Sequence, residues 1–344
     1  MSQLASESMS QRERDRAIGA LAGLALGDAL GMPTQSMSRE WITSRYGRVT
    51  TLLDAAPDQP IAPGMPAGSV TDDTEQALLL AGLLIDGAGR VDATAFADAL
   101  ERWEADMVRR GSADLLGPST KRAIQRLRAG EAPDEAGRDG TTNGAAMRVA
   151  PVGIAVPVSD HDALLDAVVQ ASRVTHNSSI GIAAAAAVAA AVSTGVAGEG
   201  LSSALDAAEH AAAAGARRGH WAAGGDIAAR IRWARGFVRG RGRADLADAV
   251  ADVIGTSVAA QESVVAAFAL AEALGDAPLE ALTLAAEIGG DTDTVAAICG
   301  AVLGAHHGVG GLPADLLDTV LRVNGLDPAP VADGLLQLRH GSST

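Results

Sequence analysis

The 344-residue chain carries 42 acidic against 27 basic residues, a net charge of −15 and an isoelectric point near 4.8. That balance excludes unspecific capture of nucleic acid or other polyanions, which needs clustered Lys and Arg to neutralise phosphate. A single cysteine, Cys299, excludes an internal disulfide, and its apolar neighbours make it a small core residue rather than a nucleophile.

Residues 1–14 are polar and charged and read as a flexible N-terminal tail; they lack the apolar run of a secretory signal, so the expected compartment is the cytoplasm. From 15 to 340 no linker interrupts the chain, which predicts a single domain. Period-two alternation is nearly absent, whereas helical spacing recurs, first in Ile18, Leu21, Ala22, Ala25, Leu26 and Ala29. The pattern predicts an all-α fold. Further helices are expected at 72–86, 92–110, 119–129, 160–173, 178–194, 201–215, 224–239, 244–274 with a break, 278–288, 293–306 and 313–323, with Gly and Pro at most joints. Ile180 to Val192 is Ala-rich but shorter than the ~20 residues that cross a bilayer, and is expected to be a buried helix. So much Ala and Gly lets helices approach closely, as in a compact bundle.

Two acidic clusters stand at the starts of such helices: Thr71-Asp72-Asp73-Thr74-Glu75, and Asp291-Thr292-Asp293-Thr294. One alone would be an N-cap favoured by the helix dipole. Two, each with hydroxyls beside the carboxylates, supply the hard oxygen ligands that Mg²⁺ or Mn²⁺ prefers and point to a dinuclear metal site. Asp28, in Gly27-Asp28-Ala29 within an apolar helix, is either bonded to local backbone or faces those metals, since a lone buried charge is costly. In the 130–150 loop, Asn143-Gly144-Ala145-Ala146-Met147-Arg148 is a good turn and also offers free N–H groups of the kind that cradle phosphate, with Arg148 as a clamp. His176 is a helix cap or a substrate contact, while His306 and His307 read as a helix end. An isoprenoid synthase would also carry acidic clusters. Here Gln76 takes the fifth place of the expected DDxxD, and 3 Phe, 4 Trp and 1 Tyr are too few to line a carbocation pocket.

The strings LAGLALGDALGMPTQ, GSVTDDTEQALLLA, TNGAAMRVAPVGI, THNSSIGIAAAAAVAAA and IGGDTDTVAAICGAVLGAHHG, in this order between about 17 and 312, resemble the ADP-ribosylglycohydrolase family. That family includes the dinitrogenase reductase-activating glycohydrolase and the ADP-ribosyl-arginine and ADP-ribosyl-serine hydrolases. The resemblance implies an all-α fold with two divalent cations, Mg²⁺ or Mn²⁺, in a cleft. It places Thr71, Asp72 and Asp73 on one side of the metals and Asp291, Asp293 and Thr294 on the other. It assigns the diphosphate and ribose to the Asn143 to Arg148 loop and His176. Asp114 lies roughly where some relatives carry a general-base Asp, though the match needs a one-residue gap. Seven residues beyond Asp28, where many members have Glu, this chain has Gln35, whose amide can bind but cannot act as a base.

The expected activity is therefore metal-dependent hydrolysis of an ADP-ribosyl conjugate, on a protein or a small molecule, with release of ADP-ribose. Two alternatives stand beside it: an N-ribosyl hydrolase acting on a nucleoside-like molecule, and a non-catalytic ADP-ribose-binding or structural homologue, which Gln35 makes possible. No nucleic-acid or membrane partner is expected.

Overall fold

The computed structural model describes residues 2–109 and 116–341, with side chains from residue 11 onward. The chain is all-α: α1 (Ser2–Gly31), α2 (Arg39–Tyr46), α3 (Asp72–Asp86), α4 (Ala93–Arg109), α5 (Pro118–Arg128), α6 (Pro133–Ala136), α7 (Gly144–Arg148), α8 (Ala150–Ala155), α9 (His161–His176) and α10 (Ser179–Val196) form the first part. There follow α11 (Leu201–Gly215), α12 (Ile227–Val238), α13 (Arg243–Asp248), α14 (Ala260–Leu274), α15 (Pro278–Ala285), α16 (Thr292–His307), α17 (Ala314–Asn324) and α18 (Pro328–Gly341). Among the described residues strand-like pairing is confined to three isolated bridges, Met37 with Gly290, Thr142 with Ala259 and Ser178 with His220.

Helix α10 is the hub. Ser178 caps it by accepting from the Gly181 N–H, and every residue from Ile180 to Val196 is buried against α7, α8, α9, α11, α14 and α16. Alanine suits this place because it is the best helix former and its single methyl lets neighbouring helices come close. Two stretches, Gln11–Thr34 and Ser179–Val196, are long and apolar enough to cross a membrane, yet the most apolar 18-residue window of each is 94% buried inside the fold.

The pairing that matters for the site is α1 against α16. Gly19, Gly23, Gly27 and Gly31 recur at helical spacing along α1, facing Gly304, Gly300, Ala296 and Asp293 on α16. A Cβ on Gly23 would collide with the Gly300 carbonyl, and one on Gly300 with the Gly23 carbonyl. The two backbones touch, and this contact brings Asp28 on α1 up to the first turn of α16. Gly300→Ala is accordingly expected to destabilise the fold by about 3 kcal/mol, the upper end of overpacking, because backbone rather than a flexible side chain would have to move. A denaturant midpoint unchanged from wild type would contradict that contact.

Some elements depart from the sequence expectation. Residues 2–14, read as a tail, continue α1. Arg14 donates to Asp333 at 2.6 and 2.9 Å, and Arg339 pairs with Glu13 at 3.1 Å, tying this segment to α18. Helices α2, α6, α7, α8 and α18 were not expected. The first four are short, and α18 opens Pro328-Ala329-Pro330, which reads as a helix stop until the preceding turn is known.

Candidate metal centre and ligand cleft

The two acidic clusters, which begin at Thr71 and Asp291, meet in space: Asp73 and Thr294, 221 positions apart, are hydrogen-bonded. Asp72 opens α3 and Asp291 stands at the N-cap position of α16, so the two helix starts come together at their carboxylates. One oxygen from each of Asp28, Asp73 and Asp293, all buried, lies within 4.8 Å of the other two. Thr294 donates to Asp73 Oδ2 at 3.2 Å. Among the described residues, Asp73 Oδ1 and Asp293 Oδ1 are buried and accept no hydrogen bond.

Among the described residues the side chain of Asp28 bonds no local backbone; it reaches across to α3 while staying within the carboxylate group. Its carboxylate accepts from the backbone N–H of Thr71 (2.9 Å) and Thr74 (3.1 Å) and from the hydroxyls of Thr71 (2.7 Å) and Thr74 (2.5 Å). It thus caps α3 from another helix, which is why Thr71 has no capping bond of its own. Burial pushes the Asp28 carboxyl up to about 6, held back by the Thr74 and Thr71 hydrogen bonds. Burial also drives Asp72, Asp73 and Asp293 well above the usual carboxylate range, and the neighbouring carboxylates of the cluster add to it. Asp291 rises less, because Asn143 and Thr294 hydrogen-bond it. Buried carboxylate oxygens without donors, in a cluster whose charges oppose one another, are the donor set a hard divalent cation fits. Thr71 keeps its hydroxyl lone pairs available, since its proton goes to Asp28.

Above this cluster opens a cleft of about 370 Å³. Asp72, Asp291, Asp293 and Thr294 form one side; Gln35 and Ser36 come from the connection between α1 and α2 and Ile61 from that between α2 and α3; Thr142, Asn143, Gly144, Met147 and Val258 form another wall; and Gly117, Pro118, Thr120 and Lys121 come from the start of α5. The walls are tethered. Asn143 donates to Asp291 Oδ2 at 2.5 Å and to Ser263 at 2.9 Å, and its N–H bonds the Val258 carbonyl at 3.0 Å. Ser36 N–H bonds Gly290 O at 2.6 Å, linking the Gln35 loop to the residue before Asp291. Gly289 (φ +79°) and Gly290 (φ +78°) allow that turn, and Ser36 is held at φ +61°, a left-handed conformation a serine adopts only when its surroundings impose it. Gln35 is 5% exposed, and its Nε2 has no acceptor among the described residues.

Of the residues expected to bind ligand, Asn143, Gly144 and Met147 line the cleft. Ala145, Arg148 and His176 lie behind its wall. Arg148 is wholly buried, donating to Gln76 Oε1 (3.2 Å) and Thr175 Oγ1 (2.6 Å) with Phe96 4.8 Å below its guanidinium, so it has no open face with which to clamp a diphosphate. Burial lowers its pKa to about 9. His176 is equally buried; burial and the charges of Arg148 and Arg122 hold its ring well below the ordinary histidine value. Asp114 lies outside the described residues. His307 Nε2 is 2.6 Å from the Gly275 carbonyl, at the end of α16, and the Cys299 thiol, buried and pushed up to about 12, is inert.

Sequence reasoning missed Thr74, Gln76, Ser36, Thr142 and Lys121 as members of this site. Gln76 carried a signal: four residues beyond Asp72 on one helix it is placed to bond it, and Nε2 does so at 3.3 Å.

A family model described as ADP-ribosylglycohydrolase matches residues 9–344. An uncharacterised Escherichia coli K12 protein, YegU, is 34% identical over 330 residues, covering 95% of this chain and 98% of that protein. The ADP-ribosylarginine hydrolase Tri1 of Pseudomonas putida is 28% identical over 95% of this chain and 82% of its own, and the ADP-ribosyl-[dinitrogen reductase] glycohydrolase of Rhodospirillum rubrum 31% identical over 54% and 60%. A solved structure of an ADP-ribosylglycohydrolase-related protein complex aligns with a TM-score of 0.68 at 26% identity, covering 95% of this chain and 99% of that one.

Proposed function

Because the chain belongs to the ADP-ribosylglycohydrolase family, we propose that it is a metal-dependent hydrolase that cleaves the anomeric C–N or C–O bond of an ADP-ribosyl conjugate and releases ADP-ribose. The observation that carries this reading is the meeting of the two acidic helix starts beneath a cleft, with the buried oxygens of Asp73 and Asp293 left without donors. Thr71, Asp72 and Asp73 would hold cation from α3, and Asp291, Asp293 and Thr294 from α16. Two Mg²⁺ or Mn²⁺ ions there would supply grip on ribose hydroxyls and a bound water of lowered pKa.

The chain's own residues do the rest. Cleavage at an anomeric carbon passes through an oxocarbenium-like state, so the ribose must be fixed and bulk water kept out. Asp28 locks the first turn of α3 and Asn143 aims Asp291, which fixes the spacing of the two carboxylate sets. Ile61, Met147 and Val258 give the cleft its apolar wall. Gln35 offers its unengaged amide to a ligand oxygen. It cannot take a proton, so general-base work falls to a carboxylate, with Asp114 the candidate the family resemblance supplies.

The relatives named as ADP-ribosylarginine hydrolases make an arginine-linked conjugate the first substrate to test, and the cytoplasm is the compartment that fits such a protein. Mass analysis of products from arginine-linked and serine-linked ADP-ribosyl peptides and from a nucleoside-like riboside decides the matter. Free ADP-ribose from a peptide supports the proposal; free ribose from the riboside alone, with the peptides untouched, replaces it with an N-ribosyl hydrolase. Gln35→Glu is expected to raise turnover of the peptide, by up to the ~10²-fold that a positioned base contributes. Unchanged turnover would mean that Gln35 does not limit the reaction.

A further inference from the structure

The buried Arg148 guanidinium stands in the middle of a hydrogen-bond chain that the hydrolytic scheme does not use. On one side it donates to Thr175 Oγ1 at 2.6 Å; Thr175 Oγ1 lies 2.7 Å from His176 Nδ1, and His176 Nε2 lies 2.9 Å from Thr142 Oγ1. On the other side it donates to Gln76 Oε1 at 3.2 Å, and Gln76 Nε2 donates to Asp72 Oδ2 at 3.3 Å. Both ends, Thr142 and Asp72, line the cleft.

A guanidinium has donors and no acceptor, so it sets the direction of every bond after it. Thr175 Oγ1 receives a proton from Arg148 and must place its own. Thr175 is wholly buried, and among the described residues its hydroxyl meets only Arg148 and His176, so that proton goes to His176 Nδ1. The reverse arrangement would strand a buried hydroxyl proton, which costs a full desolvation penalty. A doubly protonated ring is opposed by burial and by the positive charge of Arg148. His176 is then neutral with its hydrogen on Nε2, and donates it to Thr142 Oγ1. Gly144 packs against the edge of this ring, where a Cβ would come within 2.9 Å of His176 Cε1, and both ring nitrogens are engaged in this orientation. The Thr142 hydroxyl, having accepted, keeps one proton, which has no acceptor among the described residues, on a residue that lines the cleft.

We propose that Thr142 is a ligand-binding residue whose hydroxyl donates to an acceptor oxygen of the bound molecule, and that Arg148, acting through Thr175 and His176, is the positioning group that keeps it a donor. The strongest acceptor in an ADP-ribosyl conjugate is a diphosphate oxygen, and this choice of ligand rests on the proposed activity; the direction of the relay does not. Polarised chains of this kind strengthen each bond in turn.

The test has two parts, both on the full chain with Mg²⁺. In a long-range ¹H–¹⁵N spectrum of histidine-labelled protein, with His176 assigned by the signal lost in His176→Gln, the ring is expected to carry its proton on Nε2 at every pH from about 6 to 8. A proton on Nδ1, or a charged ring, overturns the relay. In calorimetric titration with ADP-ribose, Thr142→Val is expected to weaken binding on the order of 10-fold, as loss of a hydrogen bond to a charged group does, while Thr142→Ser binds as wild type does. Equal affinity in wild type and Thr142→Val overturns the ligand contact. A wild-type protein that binds no ADP-ribose refutes the proposed activity, and the ring tautomer still decides the relay.

Discussion

Asp72→Ala is expected to abolish hydrolysis and to raise, not lower, the melting temperature of the metal-free protein. The two effects have one cause. Asp72 is half-buried on the cleft wall, so its removal empties no core. Its carboxyl is driven up by burial and by the charges of Asp28 and Asp291, so in the absence of cation it works against the fold. In their presence it is one of the oxygens that neutralise them. Its loss should reduce Mn²⁺ affinity and turnover by more than the ~10- to 100-fold typical of losing a residue that only orients a ligand. Asp291→Ala should inactivate to the same degree. It should gain less stability, because Asn143 Nδ2 then loses its 2.5 Å acceptor. Mn²⁺ titration calorimetry and melting curves in chelator measure both quantities. An Asp72→Ala protein with wild-type turnover would remove the metal centre from the account.

The stability of the wild-type protein should depend on pH with opposite sign in the absence and presence of divalent cation. In the metal-free protein Asp28 has its carboxyl raised to about 6, and Asp72, Asp73 and Asp293 lie well above the ordinary value. An acid whose pKa is higher folded than unfolded binds more protons in the folded state. Its contribution is therefore fully present below the unfolded value near 4 and is lost as pH rises through the folded value. For Asp28 that window runs from about 4 to 6, and for the other three it extends upward. Cation binding needs the ionised carboxylates, so protons compete with it and its stabilisation grows over the same range. At a free cation concentration 100 times its dissociation constant the gain is about 2.7 kcal/mol. The melting shift on adding Mg²⁺ should thus be larger at pH 8 than at pH 5. A shift that is absent, or equal at the two values, would contradict a cation held by these carboxylates.

The helical fold was legible wherever a segment was long and periodic, as in α3, α9, α10, α11 and α16, whose observed ends fall within a few residues of expectation. Short helices were not, because a helix such as Gly144–Arg148 is held by its neighbours rather than by its own pattern. The extension of α1 through residues 2–14 rests on Glu13 and Arg14 meeting α18, pairings more than 300 residues apart that no local signal contains. At the site, the two acidic clusters were visible because each is compact in sequence and stands at a helix start. The glycine ridge that brings Asp28 to them was visible only as composition: Gly19, Gly23, Gly27 and Gly31 are spaced for one face, but the partner face on α16 appears only in the fold. In the sequence Arg148 reads as a clamp because it follows a turn, and His176 as a helix cap or a substrate contact, the ligand role of both being what the family resemblance implies. Their burial, and with it the role of Thr142 at the cleft wall, follows from packing against α10 and Phe96 that the local sequence does not contain.

The central claim is that these two carboxylate sets hold cations for the release of ADP-ribose, and it is tested most directly by one assay. Purified protein is mixed with an arginine-linked ADP-ribosyl peptide in Mg²⁺, in Mn²⁺, and after treatment with chelator, and free ADP-ribose is measured. Release with either cation, lost in chelator and restored when the cation is returned, is the expected result. Release that persists in chelator, or no release with either cation while serine-linked peptide is also left intact, would contradict it.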